Sequence, residues 1–288
     1  MSYGTSTARR SRRSKAEVEE LEEAIYAVVA AEQPCTIRGV FYRIMSQGLV
    51  PKSEPGYRQV QNRVLLMRRA GDLPYGWISD GTRWRIKPTT WSGVDAALAN
   101  TAMAYRRALW GDQNVHVEIW SEKDAIRSVV YPVTSEFDVP LMVARGYPSE
   151  SFLWQTAQEI IAERKPAVIY QLGDHDPSGV GAWEDTKRKL AGFAPDVEFH
   201  FERIAVTPAQ ILEYGLATRP TKASDTRARS FEGESVEVDA IPSTILRSLV
   251  RSAIEWWVDP EALRITKIAE DSEREVLHRI ANGWEDEL

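Results

Sequence analysis

The chain has a single cysteine, Cys35. That excludes an internal disulfide and any zinc site built from several thiolates. It also makes a reducing cytoplasm the expected compartment. Three of its four histidines, His116, His200 and His278, show no metal-ligand spacing. No apolar run approaches the ~20 residues that a membrane-spanning helix requires. The first residues, with Arg9, Arg10, Arg12, Arg13 and Lys15, are a basic polar arm without the apolar core of a signal peptide. There is no Gly-x-x-x-x-Gly-Lys-Ser/Thr phosphate loop, so an ATP-driven step of that type would have to come from a partner.

A net charge of −6 argues at first against a nucleic-acid binder, but the charge is unevenly spread. Residues 1–87 hold 15 Lys and Arg against 9 Asp and Glu, and within 36–87 the balance is 10 against 3. The acidic total therefore conceals a basic N-terminal third. That fits either a nucleic-acid-binding face or an ordinary solvated surface.

Residues 1–14 have nothing to bury and read as a disordered basic arm. Val18, Leu21, Ile25 and Val28/Val29 fall at helical spacing and predict a helix over 15–33. Thr36 is placed to cap a second helix through Tyr42 to about residue 47, stopped by Gly48. Pro55-Gly56 marks a turn before a third helix over 57–70, with Val60, Val64 and Met67 on its buried face. Its other face shows Arg58, Gln61, Asn62, Arg68 and Arg69. Two short strands, at 77–78 and 83–86, flank an Asp80-Gly81 turn. Three helices and a small hairpin make a winged helix-turn-helix over 15–87, whose basic third helix suits DNA.

Residues 88–111 read as a linker and connecting helix, the helix over 94–110. From 112 to 288 the pattern changes. Strands at 115–120, 141–144, 167–172 and 197–206 alternate with helices at 123–130, 151–164 and 178–190, and helices at 241–258 and 261–280 close the chain. Alternation of this kind predicts an α/β domain with a mostly parallel, Rossmann-like sheet. Glu122 follows the first strand, and Asp174 and Asp176 follow the third. In a parallel sheet all three emerge at the carboxyl edge, where such folds build their sites. Three carboxylates converging there without lysine neutralisation repel unless a cation lies between them, and hard oxygen ligands suit Mg2+. Such a metal can neutralise a phosphodiester and a departing oxygen. An Asp-x-Asp turn also serves simply to cap the following helix, and spacing alone leaves both readings open. His175 is either a further ligand or a neighbour pointing away. Glu237 and Asp239 are candidates to line the same cleft, but not as metal ligands.

Three segments occur in order: Ser121-Glu122-Lys123-Asp124-Ala125, Arg145-Gly146-Tyr147-Pro148 and Gly173-Asp174-His175-Asp176-Pro177-Ser178-Gly179. Together they resemble a Toprim domain, in the version found in the topoisomerase VI A-subunit and its meiotic double-strand-break relatives. In that family a winged-helix domain precedes the Toprim domain and carries a nucleophilic tyrosine in a Thr-x-Arg-x-x-Tyr-Tyr pattern. Here Thr36-Ile37-Arg38-Gly39-Val40-Phe41-Tyr42 stands in that place, with Phe41 replacing the first tyrosine. The resemblance spans roughly residues 30–260 and is nearest to the compact Topo mini-A group associated with mobile elements.

The resemblance implies a type IIB topoisomerase A-subunit-like enzyme. Glu122, Asp174 and Asp176 would bind Mg2+, Tyr42 would form 5′-phosphotyrosyl DNA, and Arg38 and Arg145 would stabilise phosphate charge. It also implies a homodimer on double-stranded DNA, association with the nucleoid, and a B-type ATPase partner for any strand passage. Two other readings stand beside it. One is a Toprim nuclease that uses metal-activated water, with Tyr42 structural. The other is a DNA-binding or assembly protein without catalysis.

Overall fold

A computed structural model of the chain describes residues 13–79, 87–220, 231 and 233–285. The chain divides after Ser79 into two compact units.

The first unit is helical. Helix α1 (Lys15–Glu32) opens with a capping box: Ser14 accepts from the Glu17 N–H, and the Glu17 side chain accepts from the Ser14 N–H. Leu21, Ile25 and Val29 form its buried stripe, as their spacing predicts. Helix α2 (Ile37–Ser46) is capped by Thr36, whose hydroxyl accepts from the Gly39 N–H at 2.9 Å. Gly48, at φ +78, supplies the left-handed turn that ends it. Helix α3 (Glu54–Ala70) buries Val60, Val64 and Met67 and stops at Gly71, φ +89.

Helix α3 begins three residues earlier than the sequence pattern suggests. Pro55 lies in the first turn, where its missing N–H is no loss, and the Ser53 hydroxyl accepts from the Gly56 N–H. Gly56 is there for space, because a Cβ would come within 2.1 Å of the Pro51 carbonyl oxygen. The first wing strand, expected at 77–78, does not form. Tyr75–Trp77 is a 3-10 turn, and Ile78 makes a single parallel bridge to Cys35. The turn at Asp80-Gly81 and the second strand at 83–86 lie outside the described residues. The described residues therefore contain no complete wing.

The second unit is α/β. Helix α4 (Val94–Ala104) ends six residues before its expected limit at 110. It packs on α10 (Pro260–Glu285). Beyond α4 the chain is tied to α10 in extended form: the Tyr105 hydroxyl donates to Glu273, and the Arg107 N–H donates to Glu270. The strands are β1 (His116–Ser121), β2 (Leu141–Val143), β3 (Ala167–Leu172) and β4 (Phe199–Ala205). They form one sheet in the order β2-β1-β3-β4, every pair parallel. Parallel strands require crossovers, supplied by α5 (Asp124–Glu136), α6 (Glu150–Glu163) and α7 (Pro177–Phe193). Two further helices, α8 (Pro208–Glu213) and α9 (Ser243–Glu255), follow β4; the sequence pattern does not predict α8.

The central strand β3 is buried along its whole length, and β1 nearly so, as expected for a sheet covered on both faces. One face packs Trp120, Ala167 and Ile169 against Leu153, Ala157 and Ile160 of α6 and Trp183 and Leu190 of α7. Helices α5 and α9 pack together, α5 against β1 and α9 against β4. Among the described residues no helix is long and apolar enough to cross a membrane.

The Thr36 cap anchors the helix that carries Tyr42. Thr36→Ala is expected to lower the unfolding free energy by about 1 kcal/mol, measured by chemical denaturation. An unchanged midpoint and slope would show that the cap contributes nothing.

Candidate functional site

The carboxyl edge of the sheet assembles from three chain segments. At the end of β1 the Glu122 N–H donates to Leu172 O at 3.0 Å, extending the β1–β3 pairing by one residue. Beyond β3 the Gly173 N–H donates to Ala205 O, and the Asp174 N–H donates to Glu122 Oε2 at 3.0 Å. The residues of 235–240 lie against this turn. His175 and Val236 exchange both backbone hydrogen bonds, and the Val238 N–H donates to Asp174 Oδ1 at 2.9 Å. Glu122 and Asp174 are thus immediate neighbours, and Asp176 is close enough to add to the charge that Glu122 feels.

Two glycines make this approach possible, through space rather than backbone angle. Neither Gly173 nor Gly179 has a positive φ. A Cβ on Gly179 would lie 2.5 Å from Asp174 O and 2.8 Å from Glu122 Oε2; one on Gly173 would lie 2.8 Å from that same carboxylate oxygen. Asp176 has a second task, because it caps α7: its Oδ1 accepts from the Gly179 N–H at 2.8 Å.

Protein cations already balance these acids. Lys123 Nζ lies 3.0 Å from Asp174 Oδ1, 3.2 Å from Glu237 Oε2 and 3.1 Å from Asp239 Oδ2. Arg219 lies 3.0 Å from Glu237 and 3.6 Å from Asp176. Arg203, on β4 opposite Gln171, donates to the Asp174 carbonyl. Among the described residues its buried Nε and Nη1 have no acceptor, and the buried Gln171 Oε1 has no donor. Lysine and arginine side chains thus supply much of the compensation, so the condition on which the sequence argument required a cation, convergence without lysine neutralisation, does not hold as the side chains stand. Glu237 and Asp239 do join the cluster.

Burial, then the Asp174 charge, pushes Glu122 from 4.5 up to about 6, against the opposing pull of the Asp174 N–H; Asp176 adds to the rise and Arg203 opposes it. Asp174 is raised by burial, with Lys123 and the Val238 N–H pulling the other way. Burial pushes Lys123 down, but Asp239, Asp174 and Glu237 more than offset this and hold it above its ordinary value. Burial also depresses His175, whose ring lies 4.9 Å from that of Phe231.

By donor type the site suits Mg2+. Glu122, Asp174 and Asp176 all offer carboxylate oxygens, and Glu122 Oε1 and Asp174 Oδ2 accept no hydrogen bond among the described residues. The acids are adjacent but turned onto internal donors. Among the described residues no three such groups converge closely enough to enclose an ion as they stand. Arg145 is largely exposed and pairs with Asp124 at the start of α5.

In the helical unit Tyr42 is buried, at 6% of its surface, with its ring 5.4 Å from that of Phe41. The Arg38 guanidinium lies over the Tyr57 ring, 4.5 Å from its centre. Along α3, Arg58, Gln61, Asn62 and Arg69 are exposed, and Arg58 pairs with Glu54 on the same helix. Arg68 turns back, donating to Tyr75 O and covering that ring. No family model and no curated protein matches the chain.

Glu122 holds its proton more tightly in the folded than in the unfolded state. Its contribution to stability is therefore complete below about pH 4.5 and is lost as pH rises through about 6. Glu122→Gln keeps the acceptor and removes the charge. In metal-free buffer the variant should gain about 1–2 kcal/mol on the parent between pH 5 and 7.5. Parallel stability profiles would contradict the raised pKa.

Proposed function

We propose that this chain is a magnesium-dependent DNA-cleaving protein of the type IIB topoisomerase A-subunit kind. On this reading it combines a winged-helix module with a Toprim domain, acts as a homodimer on duplex DNA and works at the nucleoid. The observation that carries the reading is the meeting of Glu122 and Asp174, with Asp176 beside them, at the carboxyl edge of a parallel sheet. The glycines at 173 and 179 leave room for nothing larger beside those carboxylates.

Glu122, Asp174 and Asp176 would hold Mg2+, which supplies positive charge to a bound phosphodiester. The exposed Arg58, Gln61, Asn62 and Arg69 of α3 would track the DNA backbone, giving salt-sensitive binding with little sequence preference. The Tyr42 phenol oxygen would bond to phosphorus and give up its proton. The 3′ oxygen would leave and take one up, so that a 5′-phosphotyrosyl end forms and the linkage can be resealed. Arg38 and Arg145 are the cations nearest in role to phosphate stabilisation, once released from Tyr57 and Asp124. Two copies, each with one Tyr42, cut the two strands. A B-type ATPase partner would be needed for steady strand passage.

A second reading is favoured by one observation, the 6% exposure of Tyr42. A phenol so covered suits a helix core, and cleavage would then proceed by hydrolysis with metal-activated water. Tyr42→Phe separates the two on supercoiled plasmid with Mg2+. Transesterification predicts that cleavage and the covalent protein–DNA adduct both disappear. Cleavage that persists, with free 5′ phosphates and no adduct in either protein, would establish hydrolysis instead.

A further inference from the structure

We propose that Lys123 sets the affinity of the carboxylate pocket for a divalent cation, holding Asp174 with a charge that the metal must contend with. This rests on the metal-binding reading above. Lys123 stands where β1 gives way to α5, and its backbone is fixed there. Its N–H donates to Ser121 Oγ at 3.3 Å, and the same hydroxyl donates to Lys123 O at 3.0 Å. From this point the side chain reaches across to acids of two other segments. Asp174 comes from the turn after β3; Glu237 and Asp239 come from the stretch laid against that turn.

The geometry divides the Asp174 carboxylate in two. Oδ1 is filled by the ammonium at 3.0 Å and by the Val238 N–H at 2.9 Å, while Oδ2 accepts nothing among the described residues. An ion taken up by Oδ2 would therefore share its carboxylate with a fixed positive charge. The interior of the pocket screens that charge weakly, because Asp174, Glu237 and Asp239 are all buried. The ammonium thus favours the orientation of Asp174 and opposes the charge of the ion. A pocket poised in this way holds a divalent ion weakly by itself. It gains when a phosphate oxygen joins the coordination, the usual manner in which Mg2+ is held by few carboxylates plus substrate. Lys123 accordingly acts through Asp174 and is a positioning residue.

The test is calorimetric titration of the DNA-free protein with Mn2+, in the parent, in Lys123→Met and in Lys123→Arg. Lys123→Met keeps the length of the side chain without its charge and is expected to bind Mn2+ about tenfold more tightly or better. Lys123→Arg should stay close to the parent. A purely structural lysine predicts weaker or unchanged binding in Lys123→Met, and either result overturns the proposal. If Lys123→Met fails to fold because Glu237 and Asp239 are left facing each other, the comparison moves to a neutralised background. There Glu237→Gln/Asp239→Asn is titrated with and without Lys123→Met, with the same expectation. Glu122→Gln distinguishes the two levels of the argument. Mn2+ binding abolished by Glu122→Gln but indifferent to Lys123→Met sinks this proposal alone. Absence of Mn2+ binding in both the parent and Lys123→Met sinks the metal reading together with it.

Discussion

Carboxylates forced together in a partly buried place raise one another's energy, and the carboxyl edge of this sheet is organised around that fact. Glu122 and Asp174 meet because the Asp174 N–H points at Glu122 and because two glycines leave the space empty. The repulsion is held in check by Lys123, Arg203 and Arg219, each drawn from a different segment of the chain. A buried carboxylate without such partners would either take up a proton or unfold its surroundings. Glu122 is raised to about 6, first by burial and then by the Asp174 charge.

The parallel sheet fixes this arrangement. Strands β1 and β3 are adjacent and in register from His116–Ala167 to Ser121–Leu172, so their ends deliver Glu122 and Asp174 to the same level. Strand β4 lies on the far side of β3 and sets Arg203 opposite Gln171, just beneath the acids. Both side chains retain buried polar groups without a hydrogen-bond partner among the described residues, a condition rare enough in folded proteins to call for an explanation. The segment 235–240 closes the other side and brings in Glu237 and Asp239, whose charges Lys123 answers.

Much of this unit was legible in the sequence. The run of β-branched and aromatic residues at 167–172 matches β3 residue for residue, and the placement of Glu122 and Asp174 at strand ends followed from alternation alone. The pairing of Lys123 was not legible, because its partners lie more than fifty residues away in sequence and depend on how 235–240 docks. Arg203 was missed for a related reason. A lone cation in Phe199–Ala205 looks like a solvent-facing strand residue, and only the register opposite Gln171 gives it a role; its place on the same face as Phe199 and Phe201 was the available signal. Boundaries failed where a local interaction outweighed periodicity: the Ser53 cap draws α3 over Pro55-Gly56, and the bonds of Tyr105 and Arg107 to α10 end α4 early. The dual use of Asp176 was open in the sequence, and its side chain does cap α7. In the helical unit the Thr36 cap and the buried faces of α1 and α3 were readable, whereas Trp77-Ile78 took a 3-10 turn and a single bridge in place of a strand.

The proposed chemistry requires a divalent ion to enter among these acids. Crystals equilibrated with Mn2+ and measured at its absorption edge test this directly. An anomalous peak is expected at coordination distance from Glu122 and from Asp174 or Asp176, with the Glu122 side chain turned from the Asp174 N–H toward the ion. A map with no peak there at saturating Mn2+, and with Glu122 still bonded to that N–H, would contradict that requirement.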